Sequence, residues 1–249
     1  MTSRRLLLVP AACLMLFALA AVAVMTWWYH PGVDLNGWRE GPPPRRWAAW
    51  LRQEARWAEE GSHRPIEHRY LPLARISPEL QLAVLVSEDI NFFGHGPVDL
   101  REIWEVLSER KPGERLRGAS TISQQLARNL FLSPERTFWR KLKELRLAWW
   151  LERRLGKRRV FELYLNVVEF GPGVFGAEAA SLRYLGVSSH ELDANQAAAL
   201  AAAIPAPGRD NPATATERWE FRRGIIASRM TKAGWLRNLL TVWATDKAR

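Results

Sequence analysis

The sequence predicts a mainly α-helical domain behind an N-terminal transmembrane helix. Three observations carry that expectation. They are an uncharged apolar run from Leu6 to Trp28, a series of helix-start signals each followed by apolar residues at helical spacing, and few strand signals with no internal repeat. At 249 residues, 47% hydrophobic and 25% charged, the chain can bury a full core, so the part after the anchor is expected to be globular. Three segments result: residues 1–29 with an Arg pair and the anchor, 30–69 as a Pro- and Trp-rich juxtamembrane linker, and 70–249 as the main domain.

The apolar run is long enough, at about 1.5 Å per residue, to cross a hydrocarbon core of about 30 Å. Arg4 and Arg5 before it place the N-terminus in the cytoplasm and everything after Tyr29 outside, with Trp27, Trp28 and Tyr29 as an aromatic belt at the exit. Ala18-Leu19-Ala20 and Ala21-Val22-Ala23 keep a cleaved signal peptide open as the alternative. Gly41-Pro42-Pro43-Pro44 then breaks the chain. Trp47, Trp50, Leu51 and Trp57, set among arginines and acids, suit a short amphipathic helix that lies either on the bilayer surface or on the main domain.

A formal charge of +10 points to an anionic partner. The excess is local, since residues 101–160 hold 16 Lys and Arg against 7 Asp and Glu. One cysteine, Cys13, rules out a disulfide framework and a cysteine metal site. No nucleic-acid partner is expected, because Trp149 and Trp150 interleave the basic residues on an apolar helix and form no stacking platform.

Ser77-Pro78-Glu79 is a helix start with a cap, a proline at the first position and an acid in the first turn. Leu80, Ala83, Val84 and Ser87 continue it, and Glu88 falls at its C-terminal end. The helix dipole disfavours a carboxylate there, which suits a proton acceptor; a solvated helix-end acid is the plain alternative. A second helix is expected from Asp99 to Leu107, then a polar loop from Ser108 to Arg115. The Ser108-x-x-Lys111 match to an acylating motif is rejected, since no Lys-Thr-Gly follows and a Pro-Gly pair adjoins it.

Gly118-Ala119-Ser120-Thr121 opens a helix whose free N–H groups could meet an anion, and Gln124, Gln125, Arg128 and Asn129 add polar groups to it. One or two helices are expected from Arg136 to Arg159, with Arg140 and Glu144 one turn apart, and the helix resumes through Asn166. Gly171, Gly173 and Gly176 break the chain before a helix from Ala177 to Tyr184. Asp193-x-x-Gln196 is a capping box for an Ala-rich helix ending at Pro205, and Glu217 to Met230 reads as helical.

Taken in order, four motifs resemble the family 51 glycosyltransferases, the glycosyltransferase domain of the peptidoglycan polymerases. They are Glu88-Asp89-x-x-Phe92-x-x-His95, Gly118-Ala119-Ser120-Thr121-Ile122-Ser123-Gln124-Gln125-Leu126-x-x-Asn129, Arg140-Lys141-x-x-Glu144 and Glu162-Leu163-Tyr164-Leu165-Asn166. The likeness covers roughly Leu71 to Pro212. The run from Gly171 to Ala180 resembles the monofunctional members, as does the lack of room for a second catalytic domain after Arg249.

The resemblance implies a lysozyme-like helical fold with two lobes around a cleft, in a single-pass protein of the bacterial inner membrane with its catalytic domain, 70–249, on the periplasmic side. It implies lipid II and the growing glycan strand as substrates, a place among other cell-wall synthesis proteins, and a divalent cation, Mg or Mn, as the one cofactor to consider; no protein metal ligands are expected. Glu88 would be the catalytic base, with Glu144 supporting it near the pyrophosphate. Asp89, Phe92, His95, Ser120, Thr121, Gln124, Gln125, Arg128, Asn129, Arg140, Lys141 and Asn166 would bind substrate. Three positions depart from the family pattern: Pro97 and Ala119 stand where glycines are usual, and Arg128 replaces a lysine, keeping the charge but changing the geometry of a phosphate contact.

Overall fold

The computed structural model describes residues 2–29, 32–44, 46–101, 104, 108, 120–135 and 137–245. The chain divides into two units, Met1–Asp34 and Leu35–Arg249. The first contains helix α1, Thr2–Tyr29. Its described side chains begin at Leu14, and Leu14, Phe17, Leu19, Val22 and Met25 are all more than half exposed. Among the described residues no helix is long and apolar enough to cross a membrane. The apolar run read from the sequence starts at Leu6, ahead of those side chains.

The second unit is mainly helical: α2 (Ala48–Glu59), α3 (Pro78–Glu88), α4 (Ile122–Phe131), α5 (Phe138–Val167), α6 (Ala177–Leu185), α7 (Ala194–Ala201), α8 (Glu217–Lys232) and α9 (Gly234–Thr245). Helix α3 starts as its sequence dictates, with the Ser77 hydroxyl accepting from Glu79 N at 3.2 Å and Pro78 in the first turn. Every residue from Leu80 to Val86 is buried, so α3 is enclosed on all sides rather than amphipathic. Helices α7 and α8 pack on it and on each other. The capping box of α7 forms in both directions, Gln196 N to Asp193 Oδ1 at 2.8 Å and Asp193 N to Gln196 Oε1 at 3.1 Å. Its alanines keep the α7 surface thin enough for close approach.

Helix α5 resolves the choice between one helix and two. Its 30 residues are interrupted at Gly156, whose φ of 75° and ψ of 160° are non-helical and open to glycine. A small sheet carries the chain from α5 to α6. Strands β1 (Glu67–His68), β2 (Glu169–Gly171) and β3 (Val174–Phe175) lie in the order β1-β3-β2, with β1 parallel and β2 antiparallel to β3.

The linker expectation needs correction, because the folded unit begins at Leu35 and takes in most of residues 30–69. Trp38, Trp47 and Trp57 are buried. Arg159 donates to the carbonyls of Trp38 (2.7 Å) and Gly41 (2.6 Å), and Arg52 donates to that of Leu132 at 2.5 Å. The apolar face of α2 therefore serves the core, and tryptophans at helical spacing do not by themselves distinguish a core from a lipid surface. The expected second helix is described as helical at residues 100, 101, 104 and 108, while the loop 109–115 and Gly118-Ala119 lie outside the described residues. Helix α9 was not expected.

Gly176 has φ 84°, and a Cβ there would lie 2.6 Å from the carbonyl oxygen of Asn166, a backbone atom at the end of α5. Gly176→Ala is expected to cost about 3 kcal/mol through strain and backbone clash. Urea unfolding monitored by circular dichroism checks this; an unchanged midpoint would mean that the turn relaxes freely.

Candidate active site

The site forms where α3 ends and α4 begins. Asp89, the residue after α3, is buried, and its carboxylate joins three pieces of chain. Oδ2 accepts from Ile122 N at 3.0 Å in the first turn of α4, where the helix dipole favours an anion. Oδ1 meets His95 Nε2 at 2.7 Å, and Asp99 Oδ2 lies 3.8 Å from the same nitrogen. The other ring nitrogen, Nδ1, faces the Gly96 carbonyl, so both ring nitrogens point at acceptors and the doubly protonated imidazolium fits best. Burial alone would lower the His95 pKa, but the hydrogen bonds to Asp89 and Gly96 and the Asp89 charge carry it above its ordinary value.

Glu88 is the last residue of α3, and its side chain is 10% exposed. Ser87 Oγ donates to Oε1 at 2.8 Å, Gln125 Nε2 donates to Oε2 at 3.1 Å, and Arg222 Nη2 lies 3.8 Å from Oε1. Gln125 is oriented by the Tyr164 hydroxyl, which donates to its Oε1 at 3.0 Å. Full burial and the nearby Glu88 charge hold the Tyr164 phenol well above its ordinary pKa, so it keeps the proton it donates. A cavity of about 370 Å³ opens beside Glu88, lined in part by Asp89, Asn91, Asp99, Arg101 and Arg229.

A second cluster surrounds Glu144, which is 1% exposed. Arg140 Nη1 reaches Oε2 and Lys141 Nζ reaches Oε1, each at 2.5 Å. Lys141 also donates to Gln124 Oε1 (2.7 Å) and Ser120 Oγ (3.2 Å), yet its side chain remains 40% exposed. Two cations on one buried carboxylate leave the cluster net positive, as an anion site requires. Helix α4 links the clusters through adjacent residues, Gln124 bonding toward Glu144 and Gln125 toward Glu88.

The remaining sequence-selected residues fall into two groups. Thr121 caps α4, and its hydroxyl donates to the Pro97 carbonyl at 2.8 Å, as does Gln124 Nε2 at 2.9 Å, so both tie down the loop after Asp89. Phe92 is fully buried beside Phe161, with Lys157 Nζ 4.2 Å from its ring centroid. Asn166 is 1% exposed and its amide exchanges hydrogen bonds with Leu71 N and O, both at 2.9 Å. Phe92 and Asn166 are thus architectural, which corrects their assignment as substrate contacts. Arg128 and Asn129 are half-buried farther along α4, and among the described residues no carboxylate pairs with Arg128. Burial and then the Arg128 charge depress the pKa of neighbouring Arg52, so two cations share that side of the helix.

Ser87, Tyr164 and Arg222 were missed as site residues. Ser87 adjoins the first motif and Tyr164 lies inside the fourth, so both carried a signal, whereas Arg222 is 134 positions from Glu88 and carried none. Among the described residues no group of three or more His, Cys, Asp or Glu side chains could hold a metal ion.

Fold and site together define a helical enzyme domain with a hydrogen-bonded carboxylate on a cavity and a cationic cluster beside it. The family described as Transglycosylase matches residues 55–231, and the chain belongs to that family of glycosyltransferases. Similar proteins include biosynthetic peptidoglycan transglycosylases from three bacteria. That of Methylobacillus flagellatus is 42% identical over 195 residues, covering 78% of this chain and 83% of the relative. That of Shewanella amazonensis is 48% identical over 171 residues, covering 68% and 69%. That of Herminiimonas arsenicoxydans is 36% identical over 234 residues, covering 92% and 94%.

The raised pKa of His95 gives a pH signature. A group whose pKa is raised on folding contributes stability that is fully present below its unfolded value, near 6.5, and is lost as pH rises through the folded value. The stability difference between wild type and His95→Asn is therefore expected to be largest below pH 6.5 and to shrink above it. Denaturant unfolding at pH 6 and pH 8.5 measures this, and a pH-independent difference would mean that His95 is neutral in the fold.

Proposed function

We propose that this chain is a peptidoglycan glycosyltransferase that polymerises lipid II into glycan strands, releases undecaprenyl pyrophosphate and uses Glu88 as its base. One observation carries the reading: a carboxylate held at both oxygens faces a cavity and is joined through adjacent glutamines of α4 to a lysine- and arginine-bound glutamate. The family membership and its named relatives supply the polymer. The same reading implies a lysozyme-like, two-lobed arrangement around the cleft.

The chemistry follows from the substrate. The donor is α-linked and the product β-linked, so a single displacement inverts the anomeric carbon and needs one base. Glu88 takes the proton of the acceptor's 4-hydroxyl as that oxygen bonds to the donor's anomeric carbon, and the bond from this carbon to the pyrophosphate oxygen breaks. The leaving group carries away the electron pair. A pyrophosphate needs charge neutralisation more than protonation, and Lys141, Arg140 and Arg128 are the cations that offer it. Of these, Lys141 combines exposure with a fixed position. The divalent cation raised by the resemblance has poor protein donors here: Asp89 is engaged by Ile122 and His95, and Glu144 by Arg140 and Lys141. No step is routed through a metal.

The anchor belongs to the same proposal. Leu6 to Trp28 would hold the catalytic domain on the periplasmic face of the inner membrane, at the depth of a lipid-linked sugar; the exposed apolar side chains from Leu14 onward support this. Removal of residues 1–29 is expected to move the protein from the membrane pellet to the soluble fraction. A truncated chain that still sedimented with membranes would shift the anchoring role elsewhere.

Glu88→Gln is expected to polymerise purified lipid II about 10²- to 10⁴-fold more slowly than wild type, with binding of lipid II retained. Equal rates would refute the base assignment. Purified glycan strands provide the control, since cleavage by wild type without lipid II would instead make the protein a lytic enzyme.

A further inference from the structure

Resting on the reading of Glu88 as the base, we propose that Arg222, on α8, is a positioning residue for that base and acts with Ser87. The starting point is an electrostatic difficulty. Glu88 sits at the C-terminal end of α3, where the helix dipole opposes a negative charge, and Asp89 adds a second carboxylate beside it. A base must be ionised and fixed in direction before substrate arrives.

Helix α8 supplies the compensation. Arg222 and Arg229 are seven residues apart and share one helical face. Arg229 Nη1 donates to the carbonyl of Val86 at 3.2 Å, satisfying an oxygen at the end of α3. Arg222 Nη2 donates to Ser87 Oγ at 3.5 Å and lies 3.8 Å from Glu88 Oε1, while Ser87 Oγ donates onward to the same carboxylate oxygen at 2.8 Å. Ser87 therefore passes the arginine's polarisation to Glu88, and Gln125 holds the opposite oxygen. Arg222 Nε is buried and has no hydrogen-bond partner, so the Glu88 side is where the guanidinium's interactions lie.

Arg222 is itself held by a pinned helix. Thr216 caps α8 by accepting from Trp219 N at 3.1 Å, and Trp219 Nε1 donates to the Ala199 carbonyl at 2.9 Å, fixing α8 to α7 three residues before Arg222. The neighbouring Arg223 turns away to pair with exposed Glu220. Removing a cation beside a carboxylate makes that carboxylate easier to protonate, and removing its tether lets it wander.

Lipid II polymerisation by the full-length protein tests the assignment, with Glu88→Gln run alongside. Arg222→Met is expected to lower kcat by about 10- to 100-fold, to leave KM within about twofold, and to move the acid limb of the pH–rate profile to higher pH; Arg222→Lys recovers most of the rate and Arg223→Met keeps wild-type activity. Unchanged kcat and profile in Arg222→Met would overturn the proposal, and so would a loss confined to KM, which would make Arg222 a substrate contact. If Arg222→Met fails to fold, Ser87→Ala and Arg222→Gln decide: acid limbs displaced upward support the proposal and unmoved limbs overturn it. Full activity in Glu88→Gln would instead overturn the reading of the base itself.

Discussion

The interaction on which the site depends is the buried carboxylate of Asp89 bonded to the first turn of α4 and to His95. Neither α3 nor α4 alone places a polar group in reach of the other. Asp89 joins the end of one to the start of the other, and the register that results sets Gln125 against Glu88 and Gln124 against Lys141. A buried anion is tolerated here because two donors and a helix N-terminus share its charge. Asp89 is therefore the residue that builds the site, and Glu88 is presented by it.

The strongly basic composition resolves locally into compensation and surplus. Arg140 and Lys141 both meet Glu144, Arg159 meets Glu162, and Lys157 meets Glu152, so much of the positive charge on α5 neutralises acids of the same helix. Beside the site, Lys141 keeps exposure although it is paired, and Arg128 on α4 meets no carboxylate among the described residues. Net charge announced an anionic partner, but the pairing decides which cations could meet it.

Much of the fold was legible because its signals are local. The Ser77-Pro78 start of α3, the Asp193–Gln196 box of α7 and the glycine break before α6 each depend on a few adjacent residues, and each formed as read. The linker was misread because a tryptophan stripe suits lipid and core equally; the difference is made by Arg159 and Leu132, 121 and 80 positions from their partners in sequence. Phe92 and Asn166 were misread for a related reason: a motif residue can serve by holding the backbone without ever meeting substrate.

By itself the sequence determined the helical class and the order of the motifs, since these follow from short-range periodicity and residue chemistry. The tertiary structure decided which atoms meet. It alone tied Lys141 of α5 to Gln124 of α4, turned Gln125 toward Glu88 through Tyr164, and brought Arg222 from α8 to the end of α3. Such contacts arise from helix packing between distant segments, where a shift of one turn would pair different side chains and no local pattern records which turn was chosen.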